Sequence, residues 1–128
     1  MTREDLRASY RAYIACLNER DWSRLGQFVD DDVVHNGRPL GLAGYRALLE
    51  DNCRQIPDLR FEIDMLIADP PYVASRLRFD VTPAADFLGL PVNGRRVTFC
   101  ENVFYAFRNG RVRQVWSVLD KAALEAQL

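Results

Sequence analysis

The sequence predicts an α+β fold, in which N-terminal helices pack on a curved antiparallel sheet that closes into a cone-shaped barrel. Three observations predict this class. Apolar residues recur with a helical period near the start of the chain, they alternate with a period of two after residue 58, and Asn109-Gly110 joins two of the alternating runs. We expect residues 1–128 to form a single domain because no repeat or linker divides them.

The helices are predicted from apolar stripes and from their end signals. Asp21 can cap a short second helix, and a third helix begins near Leu42 and stops before Pro57. Between these two helices, a brief strand ends at His35, just before the turn residues Asn36-Gly37. The first helix presents a stripe at steps of three and four residues: Leu6, Tyr10, Tyr13, Ile14 and Leu17.

The strands follow from alternation of apolar and polar residues, which is typical of a half-buried sheet. Residues 83–94 form a loop that is too long for a hairpin turn, and Lys121 begins a short terminal helix. The predicted inward side chains are, in chain order, Leu59, Phe61, Ile63 and Met65, then Val73, Leu77, Phe79 and Val81, and then Val97, Phe99, Val103, Tyr105 and Phe107. A last strand covers residues 111–119.

Composition and charge exclude several classes of function. Apolar residues make up 48% of the chain, which is enough for a full core, and the formal net charge of -1 gives no footprint for nucleic acid. Three cysteines without CxxC spacing and a single histidine predict no metal site, and no phosphate-binding glycine motif predicts a nucleotide. We therefore expect no cofactor. The chain shows no apolar leader or membrane span, so we expect a cytoplasmic protein.

One carboxylate closes the last predicted strand. Asp120 follows the apolar run that contains Trp116, and a carboxylate that faced inward at this point would be poorly solvated. Burial of that kind raises the pKa of a carboxylate, which suits it to act as a general base. The alternative is that Asp120 simply caps the terminal helix. The sequence leaves both interpretations open.

Residues 86–99 and 109–120, in this order and spacing, resemble the SnoaL-like polyketide cyclase family, whose fold is like that of nuclear transport factor 2. The resemblance implies ring closure by an aldol reaction without metal or organic cofactor. It implies that Asp120, four residues after Trp116, is the general acid/base. It also implies that His35 is a second catalytic pocket residue that polarises a substrate oxygen, although an ordinary half-buried histidine fits the same pattern.

The substrate-binding residues are predicted from strand parity and from polar groups on apolar faces. Gln114 and Trp116 share a strand face with Asp120, so we expect them in the same pocket. Tyr13 is a predicted pocket residue because a buried phenol needs a partner. Glu101 falls on the same predicted strand face as the apolar residues Phe99 and Val103. It is either a pocket carboxylate or, as we favour, turned outward by a β-bulge or neutralised by Arg76 or Arg78.

Two other reactions and one non-catalytic role fit the same fold. A site like that of ketosteroid isomerase needs a Tyr and a second acid, and a limonene-type epoxide hydrolase needs an Asp-Arg-Asp network; the sequence places neither in full. A domain of this fold can instead serve only as a binding or dimerisation module. Apolar residues on both faces of the last strand predict a homodimer through the sheet, and the expected ligand is a hydrophobic small molecule.

Overall fold

Two α-helices, with a 3₁₀ helix and one strand between them, precede a run of four consecutive strands along the chain. The computed structural model describes all residues 1–128. Its elements are α1 (Arg3–Glu19), a 3₁₀ helix (Trp22–Gln27), β1 (Val29–His35), α2 (Gly41–Gln55), β2 (Glu62–Asp69), β3 (Tyr72–Val81), β4 (Val97–Arg108), β5 (Arg111–Leu119) and α3 (Lys121–Glu125).

Helix α1 has a capping box at its start. The Thr2 hydroxyl accepts a hydrogen bond from the Asp5 backbone N–H, and the Asp5 carboxylate accepts one from the Thr2 backbone N–H. Its predicted apolar stripe is buried, from Leu6 to Leu17. The helix ends at Arg20, whose backbone is left-handed. The stripe therefore positions Tyr13 against the sheet, as predicted.

The sheet has five strands in the order β1-β5-β4-β3-β2. The α+β prediction is confirmed. The sheet is mixed, because β1 pairs with β5 in parallel, and it does not close into a barrel, because its edge strands β1 and β2 do not pair with each other. The parallel pair is possible because β1 and β5 are not consecutive strands. Helix α2 carries the chain from β1 at one edge to β2 at the other edge, and each strand from β2 to β5 then runs antiparallel to the one before it, through a short turn or, between β3 and β4, a longer loop.

The β4–β5 hairpin is confirmed at the predicted turn. Asn109 and Gly110 have φ angles of 52° and 78°, the left-handed pair that a type I′ turn requires. The strands flanking the turn pair from Arg108 and Arg111 up to Glu101 and Leu119, with one register shift after Ala106.

One predicted strand face is wrong in its second half. Met65 was expected to point inward with Ile63, but its side chain is 52% exposed. The register between β2 and β3 shifts between these two residues, so the later side chains of β2 change face. Ala68 is buried instead, whereas Ile67 is exposed.

The two faces of the sheet have different surroundings. The inner face packs on the helices and forms one core with them. The outer face carries large apolar side chains that remain exposed, including Phe104 at 60% and Val118 at 69%. None of the helices is long and apolar enough to cross a membrane.

Candidate functional site

A cavity of about 90 Å³ lies between the inner face of the sheet and helices α1 and α2. Most of its wall is aromatic or aliphatic, with Phe87 of the 83–94 loop among the lining residues. Its polar groups are few: His35, Asn52, Glu101 and the hydroxyls of three tyrosines. An apolar concavity with a few convergent polar groups is the usual form of a small-molecule site.

Glu101 is the one carboxyl group that lines this cavity. It lies in the middle of β4 on the inner face, between the buried Phe99 and Val103. Burial raises the pKa of its carboxyl group above the ordinary value near 4.5. The hydroxyl of Ser117, on the neighbouring strand β5, donates a hydrogen bond to Glu101 Oε2, and this bond opposes part of the rise in pKa.

The interpretation favoured for Glu101 from the sequence, an outward or ion-paired side chain, is wrong. β4 pairs with β3 without a register shift from Val97 to Ala106, so no bulge turns Glu101 outward. Arg76 and Arg78 lie on the opposite face and pair with Asp64 and Glu62 at 3.4 and 3.6 Å. The cavity thus has a carboxyl group with no cation among its lining residues.

Three buried tyrosines line the cavity, Tyr13, Tyr45 and Tyr105, and a fourth, Tyr10, lies behind them. The hydroxyl oxygens of Tyr13 and Tyr45 are 2.6 Å apart, and both residues line the cavity. Behind them, the Tyr10 hydroxyl donates to the Tyr105 hydroxyl at 3.4 Å. Burial raises the pKa of all four phenols, that of Tyr10 to about 12, so they remain protonated at neutral pH. These groups are hydrogen-bond donors and not bases.

His35 lies at the end of β1, and its side chain lines the same cavity. Its ring centroid is 6.0 Å from that of Tyr45. Burial, and then the charge of Arg38, lower the pKa of the imidazole below its ordinary value. A neutral imidazole can donate one hydrogen bond and accept another. The structure therefore brings together His35, Tyr13 and Glu101 of the predicted site residues.

Asp120 lies outside the cavity lining, at the N-terminus of α3. Its carboxylate accepts a hydrogen bond from the Ala123 backbone N–H at 3.0 Å, which is an N-cap contact. Of the two positions predicted for this side chain, the helix cap is the one observed.

Gln114 and Trp116 lie on the outer face of the sheet, so their predicted placement in the pocket is wrong. Trp116 is directly opposite the exposed Phe104 and is itself 40% exposed. The inner side chains of β5 are the other set, Val115, Ser117 and Leu119. Both faces of this strand are apolar in sequence, and the sequence alone does not indicate which one the helices cover.

Sequence reasoning did not identify Tyr45 or Ser117 as site residues. The signal for Tyr45 was present, because it lies on the apolar stripe of α2 and a buried phenol needs a partner, which is the argument that identified Tyr13. Ser117 has no such signal: its contact with Glu101 depends on the pairing of β4 with β5. No group of three or more His, Cys, Asp or Glu side chains in the structure could hold a metal ion.

An open mixed sheet over two helices is the fold of the SnoaL-like and nuclear transport factor 2-like class, and in this chain it encloses a mostly apolar cavity that contains one carboxyl group. The chain belongs to the SnoaL-like polyketide cyclase family, because the sequence model of that family matches residues 7–128.

Solved structures agree with this assignment. A SnoaL-like polyketide cyclase from Agrobacterium tumefaciens str. C58 is 54% identical, with a TM-score of 0.95, and the match covers 99% of this chain and 98% of that one. AclR from Streptomyces galilaeus, a proposed hydroxylase, is 24% identical with a TM-score of 0.80, over 98% and 96% of the two chains. IdmH from Streptomyces antibioticus, a proposed polyketide cyclase, is 19% identical with a TM-score of 0.82, over 95% and 96%.

The similarity to AclR and to IdmH, at 24% and 19% identity, shows the fold alone. No curated protein matches the chain at a significant level.

Proposed function

We propose that this protein closes a ring in a small hydrophobic carbonyl compound of the polyketide type by an intramolecular aldol reaction, with Glu101 as the general acid/base. Membership of the cyclase family supports the reaction class. The observation that carries the residue assignment is a single carboxyl group in an otherwise apolar cavity, held by Ser117 and with its pKa raised by burial.

The proton transfers of the proposed mechanism need only this carboxyl group and the substrate. Ionised Glu101 takes a proton from a carbon that lies between two carbonyl groups, and the C–H electron pair forms an enolate. The enolate carbon attacks a second carbonyl carbon of the same molecule, which closes the ring. The resulting alkoxide takes the proton back from Glu101, so the enzyme is regenerated. A carboxylate with a raised pKa is suited to both transfers because it is neither a very weak base nor a very weak acid.

The size of the cavity limits the substrate. A volume of about 90 Å³ is small beside the roughly 300–1,000 Å³ of typical ligand pockets. A compound of several fused rings would therefore need part of the wall to move. Phe87 is the candidate, because the loop that carries it has one backbone hydrogen bond to α2, from the Ala84 N–H to the Gln55 carbonyl at 2.8 Å.

The experiment compares two isosteric variants. Glu101→Gln and Asp120→Asn each remove one carboxylate while they preserve side-chain size. Solvent deuterium exchange into acetylacetone, followed by NMR and corrected for the uncatalysed rate, reports proton abstraction without knowledge of the natural substrate. We expect Glu101→Gln to lower the rate by about 10²–10⁴, which is about 3–5 kcal/mol of barrier, and Asp120→Asn to leave it near that of the wild type. The reverse result would return the general base to Asp120.

A non-catalytic binding module is the second candidate. The observation that favours it is the position of Asp120, which caps α3 instead of facing the cavity. A module would bind hydrophobic ligands but would give no exchange above background with the wild-type protein, whereas the proposed enzyme accelerates exchange through Glu101.

A further inference from the structure

The Tyr13 and Tyr45 hydroxyls form a pair that no proton-transfer step described above uses. Tyr13 lies on α1 and Tyr45 on α2, so two separate helices bring the two oxygens to 2.6 Å. Both residues are at most 4% exposed, and both line the cavity opposite the strand that carries Glu101. Two phenols on the helical wall thus face a carboxyl group on the sheet wall.

The hydrogen-bond capacity of this pair is not used up within the protein. Each phenol carries one proton, and the bond between the two oxygens needs only one of them. Neither hydroxyl has another hydrogen bond to a protein group. The second proton is therefore available to an acceptor in the cavity, and a buried phenol normally has such an acceptor.

We propose that the Tyr13–Tyr45 pair binds the carbonyl oxygen of the substrate and stabilises the negative charge on that oxygen when Glu101 removes the neighbouring proton. This inference rests on the proposed function. In the step, the C–H electron pair becomes the carbon–carbon double bond of the enolate, and the carbonyl π pair moves to oxygen. The proton goes to Glu101. The phenols donate hydrogen bonds and keep their protons.

The surroundings favour hydroxyl donors at this point. Neither lysine nor arginine lines the cavity, so the charge on oxygen would have no cation beside it. Preorganised neutral donors in a site of low polarity stabilise such a charge strongly, because they need no reorientation when it forms. The phenols also remain protonated, since burial raises the pKa of both. His35, whose ring centroid is 6.0 Å from that of Tyr45, is a further possible donor, and Asn52 and Tyr105 also line the cavity.

This arrangement selects a chemical class. The substrate must have an acceptor oxygen next to the carbon that loses its proton, so it is an enolisable ketone, and the form bound most tightly is its enolate. A phenolate is a stable mimic of an enolate, since it presents a planar carbon framework with a negative oxygen. The mimic 4-nitrophenol changes colour on ionisation, and nitrobenzene has nearly its shape without the hydroxyl group.

The test measures binding, so it does not depend on turnover. Dissociation constants of 4-nitrophenol and nitrobenzene are measured in the Glu101→Gln background, where the neutral amide stands in for the protonated acid that follows proton transfer. We expect the combined changes Tyr13→Phe and Tyr45→Phe to weaken 4-nitrophenol binding by about 10–100-fold, the effect of losing a hydrogen bond to a charged acceptor. Binding of nitrobenzene should change less than about twofold, because the rings remain.

Tyr10→Phe is the matched control. Tyr10 is equally buried and its hydroxyl bonds to Tyr105, but it does not line the cavity. The variant should bind 4-nitrophenol like its parent. Equal affinity of the parent for the two probes, or equal weakening of both by the tyrosine changes, would overturn the inference. Tyrosine-dependent binding together with undiminished proton exchange in Glu101→Gln would support the inference and refute the proposed role of Glu101.

Discussion

Ser117 lowers the pKa of Glu101 through one hydrogen bond and so opposes the larger effect of burial, which makes this residue a direct test of the proposed chemistry. Its hydroxyl donates to Glu101 Oε2, and its backbone N–H is held separately by Asn36 Oδ1 at 2.8 Å. Ser117→Ala removes the first bond and keeps the second, so the strand should stay in register. Ser117→Thr retains a hydroxyl and serves as the rescue variant.

The expected magnitude follows from that bond. A hydrogen bond to a charged group contributes about 1.5–3 kcal/mol, and one pKa unit corresponds to 1.36 kcal/mol. The bond favours the ionised carboxylate and lowers its pKa, so its loss raises the pKa of Glu101 further. Because the proposed base acts in its ionised form, the rise of activity with pH should move to higher pH by about 1–2 units in Ser117→Ala.

The assay is the pH dependence of deuterium exchange into acetylacetone. On the acidic side the variant should be about 10–100-fold slower than the wild type, and the two rates should converge once both carboxyl groups are ionised. His35 is the other group in the cavity whose ordinary pKa lies below 7, and burial lowers that pKa further, so His35→Asn is measured beside Ser117→Ala and should leave the acidic limb in place. A uniform loss of rate at every pH would show that Ser117 does not act through the ionisation of Glu101.

Three further predictions concern stability and assembly. Because the pKa of Glu101 is raised in the folded protein, the folded state holds this proton more tightly than the unfolded chain does. The resulting stabilisation is greatest at pH values below the pKa of the unfolded carboxyl group, near 4.5, and is lost as the pH rises through the pKa of the folded protein. Over this pH range the melting temperature of the wild type should fall as the pH rises, and the fall should be smaller in Glu101→Gln. An equal fall in the two proteins would show that other groups cause it. Asp120→Ala should lower the free energy of unfolding by about 0.5–2 kcal/mol through loss of the cap, whereas Asp120→Asn should change it by a few tenths, as denaturant titration can measure. We propose that two copies of the chain pack through their exposed outer sheet faces, where Phe104 lies opposite Trp116. Analytical ultracentrifugation should then show a dimer for the wild type and a monomer for Phe104→Glu. A wild-type monomer would contradict this proposal.

Local patterns were enough to predict the elements and the fold class. The stripe of α1 and the alternation of β3 depend only on neighbours along the chain, and the Asn109-Gly110 turn depends on the backbone freedom of two residues. These features need no knowledge of distant contacts. The resemblance in residues 86–99 and 109–120 likewise predicted the family that the comparison shows.

The identity of the cavity wall was decided by strand pairing. Side chains of a strand alternate, so a shift of one residue reverses every assignment beyond it. In β5 the register shifts after Val112, which places Val115 and Ser117 on the inner face and turns Trp116 outward. The sequence shows apolar residues on both faces of this strand and therefore cannot distinguish them.

The position of Glu101 shows the same division between local pattern and tertiary contact. Its parity in the sequence indicated the inner face, while the cost of burying a carboxyl group argued for the outer one. The structure resolves this conflict because the Ser117 hydroxyl comes from another strand to bond the carboxyl group, and because the cavity leaves space beside it. The sequence determined which residues share a face, and the packing of β5 and the helices determined which face became the site.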